Sequence, residues 1–316
     1  MNKILVTGSD GLVGTRLCSL LERAGNEVVR LDLRPRHKSS LAVDVLDLRS
    51  LSSSAAGCAG IIHLAAVSRV VWGEADPERC LCTNVLGTAN VAEVAASLPT
   101  KPWVILASSR EVYGQPRSLP VTESHATAPV NVYGRSKLFA EYILRSLNQA
   151  GRRAAVVRLS SVYGSADDHQ DRVVPAFCRA ALANDRLKVN GSECTFDFTH
   201  VDDVAEGIFR MAQMLSSGHA LGEPIHLVSG VPTSLHDLAT LVIRCASAHS
   251  AIVERPPRTY DVSHFVGDPA RATALLGWRI ATTLEKGVAR LLTDLRPRRV
   301  ESNAAALASL PDADTG

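Results

Sequence analysis

The chain has 316 residues, of which 46% are hydrophobic and 21% are charged, and its formal net charge at pH 7 is +2. This composition is typical of a globular protein, and so small a net charge gives no reason to expect a nucleic-acid partner. The seven cysteines are scattered without a Cys-x-x-Cys pair, so neither a disulfide framework nor a zinc site is predicted. The sequence has no signal-peptide layout and no apolar run long enough to span a membrane, so we predict a cytoplasmic protein.

Short β-rich apolar segments alternate with longer helical patterns over the first half of the chain, as they do in βαβ units. This alternation predicts an α/β fold with a doubly wound parallel sheet. The predicted strands are residues 3–7, 27–31, 40–43, 60–63, 103–107 and 154–158. The predicted helices between them are residues 11–24, 77–98 and 131–149.

The pattern becomes less regular after Gly164. The helices predicted there are residues 173–183, 201–215, 235–246 and 269–276, with strands near 225–228 and 252–254. We therefore expect a first domain of residues 1–164 and a smaller C-terminal lobe of mainly residues 165–300 over the carboxyl edge of the sheet, with some segments returning to the first domain. The polar stretch 301–316 is expected to be a flexible tail.

A glycine-rich loop, residues 7–14, lies between the first predicted strand and its helix. Gly8 permits a tight turn, Gly11 lets the backbone approach a pyrophosphate, and Gly14 allows close packing of the helix on the strand. Free N–H groups at the start of the helix then face the phosphate charge. The loop therefore predicts that the first domain binds a dinucleotide.

Asp32 ends the second predicted strand, where a carboxylate can bond the adenosine ribose hydroxyls. A 2′-phosphate at this position would meet a like charge, so we predict NAD rather than NADP as the cofactor. Arg34 and Arg36 are close enough in sequence that one of them could fold over a 2′-phosphate instead. That alternative stays open.

The Gly-x-x-Gly-x-x-Gly loop and Tyr133-Gly-Arg-Ser-Lys137 together resemble the extended short-chain dehydrogenase/reductases, in particular the NAD-dependent epimerase/dehydratase family. The resemblance covers residues 3 to about 292 and implies a Rossmann-type fold with a smaller substrate lobe. Further matching segments, in the family's order, are residues 44–45, 63–66, 84–88, 108–114, 158–164, 200–204 and 276–278.

The resemblance implies roles residue by residue. The catalytic positions are held by Ser109, Tyr133 and Lys137, with Glu111 on the same loop two residues beyond Ser109. Cofactor contacts are implied for Gly8, Asp10, Gly11, Leu12, Val13, Gly14, Asp32, Asp44, Val45, Leu64, Ala65, Ala66, Asn84, Ala107, Tyr133, Lys137 and Ser160. Substrate contacts are implied for Ser109, Ser161, Arg258 and Asp261.

Tyr133 and Lys137 are four residues apart on a predicted helix and therefore share one face. An ammonium beside a phenol favours the phenolate, so we predict that Lys137 lowers the pKa of Tyr133 from its usual value of about 10. Such a base could remove the proton of a sugar hydroxyl while the carbon releases hydride to the nicotinamide. Ser109 would donate a hydrogen bond to the reacting oxygen.

The departures from the family pattern lie on the substrate side. Ser161 stands where nucleotide-sugar enzymes usually have Asn, and Phe196 stands where they often have an Arg that binds the diphosphate. Arg258 and Asp261 match the family's later Arg-x-x-Asp, so half of the diphosphate site is retained. The identity of the base and of the sugar is not predicted.

Residues 110 and 111 bear on the reaction. Arg110 stands where the 4,6-dehydratases of the family carry an acid, and an arginine is no proton donor, which disfavours 4,6-dehydration. We predict a nucleotide-sugar 4-epimerase that forms a transient 4-keto sugar and recycles its NAD. The alternatives are a dehydratase or UDP-glucuronate decarboxylase-like enzyme using Glu111, a net sugar dehydrogenase or reductase, and a non-catalytic NAD-sensing protein. Glu111 could also be paired with neighbouring Arg110 and take no part in the reaction.

Histidine and acidic residues near position 200 look like metal ligands. We predict instead that Asp202 or Asp203 caps a helix, and that His63 packs in a buried strand, so no metal is expected.

The family resemblance also implies a homodimer. The predicted helices 77–98 and 131–149 would pair with those of a second copy as a four-helix bundle. Leu138, Ile143 and Leu147 are apolar candidates for that contact, unless they face the sheet.

Overall fold

The computed structural model describes residues 2–258, 260 and 262–296, and the predicted tail 301–316 lies outside this part of the chain. The strands in it are β1 (Lys3–Thr7), β2 (Glu27–Asp32), β3 (Ser40–Ala42), β4 (Gly60–His63), β5 (Trp103–Ser109), β6 (Ala154–Leu159), β7 (Ser161–Tyr163), β8 (Leu187–Asn190), β9 (Thr195–His200), β10 (Ile225–Leu227), β11 (Pro232–Ser234) and β12 (Ile252–Arg255). The α-helices in it are α1 (Leu12–Arg23), α2 (Leu48–Ala55), α3 (Val70–Ala75), α4 (Pro77–Leu81), α5 (Gly87–Ser97), α6 (Val132–Gln149), α7 (Val173–Leu182), α8 (Val201–Ser216), α9 (Leu235–Ala246), α10 (Ala270–Leu276) and α11 (Leu284–Leu295).

Seven parallel strands form the main sheet in the order β10-β6-β5-β4-β1-β2-β3. In the register, Ile4 of β1 lies between Val28 of β2 and Gly60 of β4. The strand order reverses between β1 and β4, and open α/β sheets bind ligands in the crevice at the carboxyl ends of such strands. The predicted Rossmann-type doubly wound sheet is confirmed.

The sheet forms from these segments because their apolar side chains can be buried on both faces. Successive side chains of a strand point to opposite faces. Ile4 and Val6 accordingly belong to an apolar cluster with helices α1 and α8, whereas Leu5 belongs to a second cluster with α2, α5 and α6. All seven residues of β5 are buried, which places the end of this strand inside the protein.

A separate apolar cluster holds together the smaller lobe. It joins α7, α9 and α11 to β8 and β9, with Phe177, Leu238 and Leu291 among its buried members. The lobe contains a three-stranded sheet in the order β11-β9-β7 and a parallel pair of β12 and β8. The sequence patterns did not predict α2, α3, α11 or strands β7, β8, β9 and β11.

The predicted single helix 77–98 is wrong in detail. The chain there forms α4, then a π-helical turn over Cys82–Leu86, and then α5. Asn84 in this turn is buried, and its side chain bonds both the N–H and the C=O of Val67, at 2.8 and 3.1 Å. Such π-helical turns occur frequently at functional sites. Here the turn fixes the loop that follows β4.

The apolar residues named as dimer candidates on α6 face inward. Leu147 is buried in the sheet core, Ile143 packs against the same core, and Leu138 packs against another cluster. The outward apolar side chains of this helix are Phe139, 53% exposed, and Tyr142, 46% exposed. Over the described residues, each helix is too short or too polar to cross a membrane.

Candidate active site

The phosphate loop has the geometry that close contact with a ligand requires. Gly8 has a φ of 67°, and a Cβ at this residue would lie 2.7 Å from the backbone nitrogen of Ala65. A Cβ at Gly14 would lie 2.2 Å from the carbonyl oxygen of Gly8, so α1 can approach the loop because this residue is glycine. In the described residues, α1 has no side-chain cap after Gly11, which leaves its first N–H groups for a phosphate.

The carboxylate of Asp32 is held at the end of β2 by two backbone N–H groups. Asp10 donates to its Oδ2 at 3.1 Å, and Arg34 donates to its Oδ1 at 2.9 Å. Together with the phosphate loop, this carboxylate forms the cradle that a dinucleotide with a free ribose hydroxyl fits.

A cavity of about 910 Å³ extends from the phosphate loop to the smaller lobe. It brings together residues that lie far apart in the sequence. The predicted site residues that line it are Gly8, Gly11, Leu12, Val13, Gly14, Asp32, Asp44, Val45, Leu64, Ala65, Ala66, Ala107, Ser109, Glu111, Tyr133, Lys137, Ser160, Ser161 and Arg258. Asp261 lies outside the described residues.

Asp10 and Asn84 do not line the cavity. The side chain of Asn84 is hydrogen-bonded to the backbone of Val67 and donates to the hydroxyl of Ser136 at 2.8 Å. Asp10 is committed to the segment that follows β2. The cofactor contacts predicted for Asp10 and Asn84 therefore stay predictions, since both side chains hydrogen-bond within the protein.

Tyr133 and Lys137 reach the cavity from the first two turns of α6. Asn131 caps this helix, its side chain accepting a hydrogen bond from the N–H of Gly134 at 2.7 Å. Both Tyr133 and Lys137 are buried, and the ammonium of Lys137 donates to the carbonyl oxygen of Ala107 in β5 at 2.9 Å. The helix thus presents both side chains to the end of β5.

The protein groups alone do not make Tyr133 a base at neutral pH. Burial raises the pKa of Tyr133 to about 12, although a hydrogen bond with Ser109 and the charge of Arg172 act to lower it. Lys137 lies with its Nζ 6.0 Å from the centroid of the Tyr133 ring. The prediction that Lys137 brings this pKa below its ordinary value is therefore wrong for the protein alone, because the loss of water around the phenol outweighs the neighbouring charges.

Lys137 is itself affected by burial. Its pKa is lowered to about 8, because desolvation disfavours the ammonium more than the neighbouring Cys80 and Glu141 favour it. The side chain is still mainly protonated at pH 7.

Arg172 is a site residue that the sequence analysis missed. It lines the cavity just before α7 and lowers the pKa of Tyr133 through its charge. Its Nε lies 3.5 Å from Oδ1 of Asp168, whose side chain is 1% exposed. Burial raises the pKa of Asp168. The sequence gave no indication that Arg172 and Asp168 belong to the site, because residues 165–172 show neither a helical nor a strand periodicity.

Glu111 lies in the 3₁₀ turn Arg110–Tyr113 that follows β5, and both of its oxygens are engaged. Oε1 lies 3.1 Å from Nη2 of Arg110, and Oε2 accepts a hydrogen bond from Asn131 at 2.8 Å. The Glu111 side chain is 6% exposed. Asn131 therefore has two tasks, since its oxygen caps α6 and its nitrogen holds Glu111.

Phe196, which stands where relatives often have an arginine, lies beside a different arginine. The guanidinium of Arg110 lies 4.5 Å from the centroid of the Phe196 ring and 5.7 Å from that of Phe265. The cavity lining thus holds an arginine between two aromatic rings, paired with Glu111. This stacking was not predicted from the sequence.

The helix cap near position 200 is provided by a different residue from those predicted. His200 precedes α8, and its Nδ1 accepts a hydrogen bond from the N–H of Asp202 at 3.2 Å. The carboxylate of Asp203 instead accepts from the backbone of Ala281 and Thr282, each at 3.0 Å. Asp203 therefore attaches α8 to the loop before α11.

His63 is packed at the end of β4. Its ring lies between the hydroxyls of Thr7, at 2.7 Å, and Thr88, at 3.2 Å. Burial lowers its pKa to about 3, so the ring is neutral.

The sequence profile of the NAD dependent epimerase/dehydratase family matches residues 4–223, and the chain therefore belongs to this family. Membership confirms the predicted resemblance. Because the family is NAD dependent, it also confirms the prediction of NAD as the cofactor.

Relatives with different reactions are similar to the chain to almost the same degree. It is 28% identical to a UDP-glucose 4-epimerase of Mycolicibacterium smegmatis, covering 93% of this chain and 98% of that one. It is 27% identical to UDP-glucuronic acid decarboxylase 2 of Arabidopsis thaliana, covering 94% of this chain and 68% of that one. The structure of the dTDP-glucose 4,6-dehydratase DesIV from Streptomyces venezuelae with NAD and TYD bound is 25% identical, with a TM-score of 0.84, covering 92% of this chain and 91% of that one. The comparisons indicate an enzyme.

Proposed function

We propose that the protein is an NAD-dependent nucleotide-sugar 4-epimerase that works through a transient 4-keto sugar and recycles its NAD. The observation that carries the proposal is the state of Glu111, whose two oxygens are held by Arg110 and Asn131. Dehydration needs a second group that removes a proton from carbon, whereas inversion at C4 needs a single acid–base group and a hydride acceptor.

Tyr133 is the group that would exchange a proton with the sugar 4-hydroxyl, and Ser109 would hold the same oxygen. Both side chains line the cavity at the end of β5, and they hydrogen-bond with each other. When bound, NAD supplies a hydride acceptor and, in its oxidised form, a positive charge that favours the phenolate. That charge is needed because burial raises the pKa of Tyr133 to about 12.

Glu111 is poorly placed to serve as a second base. One oxygen of this carboxylate forms an ion pair, and the other accepts a hydrogen bond. One of these contacts must break before the carboxylate takes a proton. The nearest cation, Arg110, is itself between Phe196 and Phe265, so the pair is packed on both sides. We therefore assign Glu111 to holding the turn after Ser109.

The second candidate is a decarboxylase- or dehydratase-like reaction that uses Glu111. It is favoured by the position of Glu111 in the cavity lining and by the relative named UDP-glucuronic acid decarboxylase 2. In that case the pair with Arg110 would have to open in every turnover.

The test is to incubate the purified protein with a panel of nucleotide sugars, without added cofactor, and to identify the products by NMR. We expect a 4-epimer, and we expect Glu111→Gln to retain activity within about tenfold of wild type, since its one amide oxygen can still accept from Asn131 although the ion pair with Arg110 is lost. Tyr133→Phe is the matched control that removes the proposed acid–base group. Loss of water or carbon dioxide from the substrate, or an inactive but folded Glu111→Gln, would contradict the proposal.

We also infer a homodimer that forms through the outer faces of α5 and α6. The support is the family resemblance together with exposed apolar side chains on and next to these helices, namely Leu86, Phe139 and Tyr142. Such exposed patches often mark contacts between proteins.

A further inference from the structure

Asp10 is a buried carboxylate in the middle of the phosphate loop and does not line the cavity. It is 4% exposed. Its oxygens accept hydrogen bonds from the N–H groups of Arg36 and His37, the latter at 2.8 Å, and from the hydroxyl of Ser40 at 2.7 Å. A further bond comes from the hydroxyl of Ser9 at 3.1 Å. The carboxylate therefore ties residues 36–40, which follow β2, to the phosphate loop.

These hydrogen bonds keep Asp10 charged. Burial alone would raise its pKa, but the bonds from Ser40, His37 and Arg36 outweigh that effect, and the pKa is lowered. The attachment is therefore charge-assisted at neutral pH, which makes each bond stronger than a neutral one.

The attached segment contains the arginine that could change cofactor preference. The Nη2 of Arg36 donates to the backbone carbonyl of Asp10, so the guanidinium is folded onto the phosphate loop. Arg34 lines the cavity, but Arg36 does not. Arg36 lies four residues beyond Asp32, which is within reach of the ribose edge if the segment is released.

The same residue also orients Asp32. The N–H of Asp10 donates to Oδ2 of Asp32 at 3.1 Å, so the carboxylate that is predicted to bond the ribose is fixed from this loop. We propose that Asp10 is a specificity-determining residue for the cofactor: by holding residues 36–40 it keeps Arg36 away from the ribose edge, and the protein thereby discriminates against NADP. A released arginine would pair with a 2′-phosphate through charge-assisted hydrogen bonds and offset the repulsion from Asp32. The inference concerns the cofactor and does not depend on which sugar reaction the enzyme performs.

The test is a double-mutant cycle on Asp10 and Arg36, with dissociation constants for NAD and NADP measured by calorimetry on the full chain after removal of any bound nucleotide. For Asp10→Ala we expect NADP to bind at least tenfold more tightly than it does to wild type, so that the ratio of the NADP to the NAD dissociation constant falls. In Asp10→Ala/Arg36→Ala the gain for NADP should disappear. Arg36→Ala alone should leave both constants unchanged.

Asp10→Asn serves as a second variant, since it keeps the shape of the side chain and loses its charge, and thermal unfolding shows whether each variant is folded. We expect a smaller gain for NADP with this variant. The proposal is overturned if folded Asp10→Ala or Asp10→Asn shows no gain for NADP. It is equally overturned if the gain persists without Arg36, or if Arg36→Ala alone weakens NADP binding.

Discussion

The carboxylate of Glu111 and the guanidinium of Arg110 form an ion pair, with 3.1 Å between Oε1 and Nη2, directly after the serine that ends β5. In the amino-acid sequence the two residues indicated different reactions. Arg110 disfavoured 4,6-dehydration because it is no proton donor, whereas Glu111 offered a second base for dehydration or decarboxylation. In the folded protein each is the partner of the other. This pairing is the basis on which we favour epimerisation.

Replacement of Tyr133 by Phe should lower the turnover number by about 10²–10⁴-fold, the range typical of lost general acid–base catalysis. The NAD dissociation constant should change by less than about threefold, because the ring keeps its place at the start of α6. Activity by NMR and binding by calorimetry are the two measurements. A variant that turns over at the wild-type rate would show that another group exchanges the proton.

Lys137→Met should stabilise the protein at pH 7 by roughly 2 kcal/mol. The lowering of the pKa of Lys137 from 10.5 to about 8 means that the buried ammonium destabilises the folded protein by about 3 kcal/mol, which the variant recovers. The variant also loses the hydrogen bond to Ala107, which reduces its gain in stability by about 1 kcal/mol. The folded state binds fewer protons than the unfolded state between pH 8 and 10.5, so wild-type stability recovers as the pH rises through this window. The advantage of the variant should therefore shrink there.

The free energy of unfolding, from denaturant titrations at several pH values, measures this difference. The exposed Lys286 provides the control, since Lys286→Met should leave stability within about 0.5 kcal/mol of wild type. A less stable Lys137→Met at pH 7 would mean that the ammonium is well solvated in the folded protein. The gain in stability should come with a loss of activity.

Arg258→Ala should raise the substrate KM by about 10–100-fold and leave the NAD dissociation constant nearly unchanged. Arg258 lines the substrate end of the cavity, where Phe196 offers no charge to a phosphate. The matched control is Arg255→Ala, which removes an exposed arginine of β12 that does not line the cavity. An unchanged KM in Arg258→Ala would indicate a substrate without a diphosphate.

Phe139→Glu should convert the proposed dimer into a monomer, because it places a charge in the middle of the exposed face of α6. Leu119→Glu is a control at a comparably exposed apolar side chain away from this helix, 46% exposed against 53% for Phe139. Light scattering at micromolar concentration gives the mass of each. A wild-type protein that is already a monomer, or a Phe139→Glu variant that remains a dimer, would contradict this interface.

Much of the fold could be predicted because the information is local. The strands β1 and β4 occur where short β-rich apolar segments predicted them, and α9 begins and ends as its periodicity predicted. The glycine loop predicted the crevice because the spacing of its glycines shows directly where the backbone leaves no room for a Cβ atom. Elements of the smaller lobe were missed where a strand is as short as the three residues of β7, since so few side chains show no period.

Other interactions of the site were not predictable, since they join distant segments. Asn131 bonds Glu111 from 20 positions away. Arg172 acts on Tyr133 although 39 positions separate them in the sequence. Spacing placed Lys137 on the same helical face as Tyr133, but it could not show that burial would outweigh any lowering of the pKa. Desolvation depends on the whole fold, which no local pattern contains.

Deuterium incorporation from solvent tests whether the protein is a plain 4-epimerase without a second base. The protein is incubated in deuterated water with the nucleotide sugar that it turns over, and the product is examined by NMR for deuterium bound to carbon. In plain 4-epimerisation the hydride leaves C4 and returns to it without exchange. The 4-hydroxyl proton that Tyr133 removes exchanges with deuterated water, so it puts no deuterium on carbon. We expect no deuterium on carbon. Deuterium at C3 would show that a second base removes a carbon-bound proton. Deuterium at C5 would show either such a base or protonation of C5 after loss of carbon dioxide. Either result would contradict plain 4-epimerisation.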